Sequence, residues 1–153
     1  MDNTTTVRFI DLFAGIGGIR KGFELACEDR GLVPQCVFTS EIKSYAIDVL
    51  RQNHPGEMIH GDITQIAASD IPDFDFLLAG FPCQAFSAAG KRLGFEDTRG
   101  TLFFDVARIL KEKDPSGFLL ENVEGLVTHD KADKKDKVGR TFATILQTLE
   151  DLG

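Results

Sequence analysis

The 153-residue sequence predicts an α/β fold, a mostly parallel sheet with helices flanking it. Short apolar runs alternate with longer segments of helical period, and a glycine cluster stands where the first run gives way to the first helical segment. Composition permits such a fold: 42% hydrophobic and 27% charged residues suit a globular chain and are too apolar for a disordered one. A chain of this length can bury roughly two thirds of the surface it exposes when unfolded.

Taken in order, strands are expected at residues 7–12, 35–40, 74–79 and 117–121, with a weaker one at 58–60. Ile19, Gly22, Phe23, Ala26 and Cys27 repeat at helical spacing, as do Leu102, Phe103, Val106, Ile109 and Leu110, and both stripes should face the sheet. Phe142, Ile145, Leu146, Leu149 and Leu152 mark a last helix, with Gly153 as its C-cap, after which a further strand would normally follow. The polar stretch "DKADKKDK", residues 130–137, is a connection or a solvated helix start. No internal repeat appears, so one domain over residues 1–153 is the simplest account.

Several function classes are disfavoured. No apolar run approaches the ~20 residues of a membrane span, and "MDNTTTVRF" lacks the regions of a signal peptide, so a cytoplasmic home is expected. Cys27, Cys36 and Cys83 are odd in number and form no C-x-x-C pair, which argues against a disulfide framework and against a metal cluster. The net charge of −7, with 17 Lys and Arg against 24 Asp and Glu, gives the whole chain no attraction for phosphate backbones.

"FIDLFAGIGG", residues 9–18, runs from a strand into Gly15, Gly17 and Gly18 at the mouth of a helix. Glycines there permit a sharp turn and a close ligand approach beside the positive helix end, although a tight turn without a ligand looks the same. Glu41, in "TSEIK", follows the second strand and is spaced to accept from ribose hydroxyls; the alternative is a solvated loop carboxylate. Asp62, in "HGDIT", could accept from an adenine amino group with Ile63 near the ring, or could simply cap the next turn. Glycine, Glu and Asp at three successive strand ends describe a nucleoside pocket on the carboxyl edge of a parallel sheet. No phosphate-binding Lys motif accompanies it.

Cys83 lies in "GFPCQAFSAAGK", residues 80–91, directly after the fourth strand. Cys27, on a helical stripe, and Cys36, opening a strand, read as buried and inert thiols. Pro82 fixes its own φ and biases Phe81 toward an extended shape, which gives the Cys83 thiol a defined direction. A thiol becomes an effective nucleophile only beside positive potential or a proton acceptor. The following "QAFSAAGKRLGFEDTRG" combines small residues with Lys91, Arg92 and Arg99, which suits a basic loop closing on a polyanion or an ordinary surface loop. "LLENVEG" brings Glu121 and Asn122 to the same edge. A carboxyl group sunk among apolar residues holds its proton more tightly than one in water, so thiol and acid together suggest covalent catalysis with a proton donor.

In this order and at these intervals, "DLFAGIGG", "GDIT", "GFPCQAFS", "RGTLFF" and "ENV" resemble the cytosine carbon-5 DNA methyltransferases of bacterial restriction-modification systems, from about Arg8 to about His129. The resemblance implies a Rossmann-like methyltransferase fold, S-adenosylmethionine as cofactor and double-stranded DNA as substrate. It implies that Phe13, Ala14, Gly15, Ile16, Gly17 and Gly18 embrace the cofactor, with Glu41 on the ribose and Ile42, Asp62 and Ile63 around the adenine. Gly80, Pro82 and Leu102 complete the pocket. Cys83 becomes the nucleophile that adds to carbon 6 of a flipped cytosine, Glu121 the partner of ring nitrogen 3, and Asn122 the residue that positions the Pro82–Cys83 backbone. Gln84, Ser87, Lys91, Arg92 and Arg99 belong to the loop that closes on DNA.

The same family continues with a Gln-x-Arg-x-Arg motif, further strands, a target-recognition domain and a final covering helix, none of which these residues contain. The expectation is therefore a catalytic N-terminal portion that needs a C-terminal complement, which would also carry most of the phosphate-binding surface. Association with the bacterial nucleoid would follow from DNA binding. The alternatives are a noncatalytic S-adenosylmethionine-binding or regulatory module, or methylation of cytosine in RNA.

Overall fold

A computed structural model describes residues 5–82 and 102–153. Five strands form one sheet in the order β3-β2-β1-β4-β5: β1 (Thr6–Leu12), β2 (Val33–Ser40), β3 (Ile59–His60), β4 (Phe76–Ala79) and β5 (Gly117–Leu120). All four pairings are parallel. Parallel neighbours require long crossovers, and helices serve that purpose. They are α1 (Gly18–Glu28), α2 (Ser44–Asn53) and α3 (Leu102–Lys113), followed by α4 (Gly125–Thr128) and α5 (Arg140–Leu152); the sequence stripes anticipate α1, α3 and α5 but not α2 or the short α4. From β1 the chain builds outward to β2 and β3, then returns to place β4 and β5 on the other side. The order therefore reverses between β1 and β4, and in open α/β sheets the crevice at the carboxyl ends of such strands is where ligands bind.

Strand alternation divides the core. On one face Phe23 of α1 packs against Phe9 and Phe76, with ring centroids 5.0 and 5.3 Å apart. On the other, Ile10, Leu12, Leu77 and Ala79 meet Val106, Ile109 and Leu110 of α3 and Ile63, Ala68 and Ile71 from the 3-10 segment between β3 and β4. Each large side chain taken from water here contributes roughly 1.5–3 kcal/mol. A second cluster of Phe81, Phe103, Ala107, Leu126 and Ile145 joins the end of β4 to α3, α4 and α5.

The buried faces of two helices differ from the sequence expectation. On α1, Gly22 and Ala26 are exposed, whereas Arg20 is buried with Cys27; the inner face is turned because Glu24 and Glu57 pair with the Arg20 guanidinium. On α5, Leu146 is exposed and Thr148 is buried, its hydroxyl satisfied by the Thr144 carbonyl at 2.8 Å. The residue 130–137 stretch is a turn-rich connection, with no helix beginning until Arg140. Gly153 does cap α5, at φ 114°. In β2 the register with β1 shifts between Phe9 and Ile10, which pair with Cys36 and Phe38. Val37 is the extra residue, and it sends Cys36 and Phe38 to opposite faces although they are two apart. Among the described residues no helix is long and apolar enough to cross a membrane, and no His, Cys, Asp and Glu grouping could hold a metal ion.

Candidate cofactor and catalytic edge

The five strands deliver their following residues to one edge of the sheet. After β1, Phe13, Gly15 and Gly17 all adopt positive φ (54°, 55° and 89°), and Gly17 is the left-handed N-cap of α1. At Gly17 a Cβ would lie 3.3 Å from Leu50 Cδ2, so glycine meets both the backbone and the packing requirement there. A Cβ at Gly15 would touch nothing within 4 Å: the turn faces open space. Ala14 and Gly17 are buried, Phe13 and Gly15 partly buried, Ile16 and Gly18 exposed.

Glu41 is not a solvated loop carboxylate. It is 7% exposed, and its oxygens accept from Gly15 N at 2.7 Å, Ile42 N at 2.8 Å and Lys43 N at 2.9 Å. A carboxylate offers about four lone-pair positions, so three donors leave about one for a ligand. Its own N–H donates to His60 O at 3.0 Å, which ties the end of β2 to β3. Asp62 is exposed and caps the first 3-10 turn, accepting from Thr64 N at 3.0 Å. The next residue, Ile63, is buried, whereas Ile42, after β2, stands 68% exposed.

At the end of β4, Phe81 is buried against Phe103, with centroids 5.6 Å apart, while Pro82 is exposed. Asn122 Nδ2 donates to Phe81 O at 2.6 Å, and Asn122 Oδ1 accepts from Val123 N. An aromatic anchor and this bond from the end of β5 fix the backbone that leads into Cys83. Asn122→Ala is expected to cost about 1–2 kcal/mol, read by urea unfolding of both proteins; equal stability would show that the bond contributes nothing. Glu121 differs from expectation. It is exposed, not sunk among apolar side chains, because β5 has a described neighbour on one side only. Its Oε2 lies 3.4 Å from where a Cβ at Gly80 would stand, with Phe13 O and Ile19 Cδ1 also close. Leu102, opening α3, is partly buried. Cys83, Gln84, Ser87, Lys91, Arg92 and Arg99 lie outside the described residues.

The family model for C-5 cytosine-specific DNA methylases matches residues 7–153. The chain belongs to this family. It is 69% identical over 147 residues to the Type II methyltransferase M.NgoBV of Neisseria gonorrhoeae, a match covering 96% of this chain and 35% of that protein. It is 57% identical over 149 residues to M1.ScrFI of Lactococcus lactis subsp. cremoris, covering 97% and 35%. The chain thus spans about a third of the length of these curated relatives. Among solved structures, a DNMT2 mutant from Spodoptera frugiperda superposes with a TM-score of 0.66 at 24% identity, over 95% of this chain and 41% of that one. An S-adenosylmethionine dependent methyltransferase from Mesorhizobium loti gives 0.52 at 14% identity, over 100% and 76%. Both likenesses establish a methyltransferase-type Rossmann-like fold.

Three polar residues of this family member escape sequence reasoning. Asp11 is 1% exposed, and among the described residues neither carboxylate oxygen has a hydrogen-bond partner. Burial raises its pKa to about 7, against the lowering influence of Arg20 and with smaller raising contributions from Glu24 and Glu41. Buried Arg20 pairs with Glu57, which stands at the surface; burial opposes the Arg20 charge, but hydrogen bonds to Glu57 and Glu24 outweigh it and raise its pKa. Hydrogen bonding from Arg20 in turn lowers that of Glu57. The only sequence signals were an acid inside an apolar run and the Arg20/Glu24 spacing.

Proposed function

We propose that this chain supplies the cofactor-binding and nucleophile-bearing part of an enzyme that methylates carbon 5 of cytosine in DNA. The observation that carries the reading is the family match across residues 7–153. S-adenosylmethionine, when bound, supplies an electrophilic methyl group. The described residues fit it: open space faces Gly15, Glu41 keeps about one acceptor position, and Ile42 and Asp62, which follow β2 and β3, are both exposed. In this reading Phe13, Ala14, Ile16, Gly17 and Gly18 form the turn around the cofactor, Ile63 and Leu102 are apolar walls, and Gly80 with Pro82 borders the methionine end.

Cys83 attacks carbon 6 of a flipped cytosine while Glu121 hydrogen-bonds or protonates ring nitrogen 3, which makes carbon 5 electron-rich enough to accept the methyl group. Loss of the carbon-5 proton and β-elimination then release Cys83. Flipping the base costs a few kcal/mol, supplied by DNA contacts that include Gln84, Ser87, Lys91, Arg92 and Arg99. Target choice and most groove contacts belong to a C-terminal complement. Two observations support a complement: the relatives are about three times as long, and β5 leaves Phe118 and Leu119 nearly half exposed, with Val123 at 62%.

The test combines the chain with the remaining two thirds of a close relative and follows labelled methyl transfer to DNA. Cys83→Ala in that complex is expected to lower transfer on the order of 10³-fold or more. Unchanged transfer would remove the mechanism.

A further inference from the structure

We infer that Arg20 is a positioning residue for the proposed cofactor edge, clamping the glycine turn to the segment that leads into β3. The inference rests on the cofactor reading above. Arg20 lies in the first turn of α1, two residues beyond Gly18, and is 4% exposed. Its Nη1 and Nη2 donate to Glu57 Oε2 at 2.6 Å and Oε1 at 2.7 Å, its Nε to Glu24 Oε1 at 2.8 Å, and its Cζ sits 5.9 Å from the Phe9 ring centre.

Glu57 occupies the connection from α2 to β3, three residues before His60. Beyond it the contacts close into a ring. Glu41 N donates to His60 O, Ser40 Oγ donates to Gly61 O at 2.8 Å, and Glu41 Oε2 holds Gly15 N. Gly15 leads through Gly17 into α1 and back to Arg20. A Cβ at Gly17 would stand 3.3 Å from Leu50 Cδ2 and 3.9 Å from His54 Nε2, so the end of α2 lies close to the turn. Among the described residues, the Arg20–Glu57 fork is the link of this ring made by two side chains; the other hydrogen bonds in it each use at least one backbone group. A planar bidentate pair sets both distance and orientation, which the point charge of a lysine cannot do.

The variants are Arg20→Lys, which keeps a positive charge near Asp11 and Glu24 but loses the fork, Glu57→Gln, and the double substitution. In the ligand-free chain, amides of residues 15–18 and 57–62 are expected to exchange hydrogen faster in all three, with β4 and β5 unchanged. Calorimetry with S-adenosylhomocysteine, well below each unfolding midpoint, is expected to show affinity reduced roughly five- to tenfold by either substitution. The double variant should lose no more than the weaker single one. A lower midpoint with unchanged affinity and unchanged local exchange would reduce Arg20 to a stability element and overturn the inference. No binding by the unsubstituted chain, with exchange still locally faster in the variants, would overturn the cofactor reading and this inference with it.

Discussion

Replacing Asp11 by Asn is expected to stabilise the fold progressively as pH rises, its advantage growing by about 2–3 kcal/mol between pH 5 and pH 8. Asp11 is buried on the α1 face of the central strand without a hydrogen-bond donor among the described residues, and burial raises its pKa from 3.8 to about 7. The folded state therefore prefers the neutral acid, while the unfolded chain ionises at its ordinary pKa. Well below pH 3.8 both states are protonated and the ionisation penalty vanishes, leaving only the fixed cost of the buried neutral acid. From there to about 7 the unfolded state loses its proton first, and stability falls by ~1.4 kcal/mol per pH unit; above 7 the penalty is constant. Asn does not titrate, so comparing the two pH values cancels the fixed cost of its buried amide. Urea unfolding of both proteins at pH 5 and pH 8 reads the difference, and parallel pH dependences would show that Asp11 stays solvated or paired.

Glu41→Ala is expected to cost about 2–4 kcal/mol of stability and to weaken S-adenosylhomocysteine binding at least roughly tenfold. The two carboxylates are opposites: Asp11 has burial without donors, whereas Glu41 has three backbone N–H groups converging on it. Removing Glu41 leaves Gly15, Ile42 and Lys43 to find water, and it frees the turn that the ligand is proposed to meet. Unfolding and calorimetry separate the two effects. Stability lost with affinity intact would assign Glu41 to the turn alone.

The strands were legible because each is a short apolar run, and α3 and α5 because their buried residues keep helical spacing. The α1 face was misread because counting apolar residues favours Gly22 and Ala26, whereas packing buries Arg20 through a partner 37 residues away. The extra residue Val37 in β2 breaks strand alternation without changing any residue type, so periodicity passes over it. At the edge, motif spacing located Glu41 and Asn122, but not what they touch: three backbone amides for one, the Phe81 carbonyl for the other. Glu121 was expected inside because it follows apolar residues, yet exposure at a sheet margin depends on neighbours, which no local pattern records. Asp62 makes the cap its residue type favours, and that bond leaves its proposed adenine contact to be measured.

The place of β1 sets a timetable for assembly. Of the five described strands, the earliest in the chain becomes the central one, with β2 on one side and β4 on the other. Arg8 N and Asp75 Oδ2, bonded in the finished sheet, are 67 residues apart. At roughly 5–20 residues per second, several seconds pass before that partner exists. Throughout that interval the nascent chain carries a half-built sheet whose open margin includes Phe9, Ile10 and Leu12, all destined for full burial. The central strand of these five is thus the one exposed longest to mispairing on the ribosome, and slow translation would lengthen that exposure.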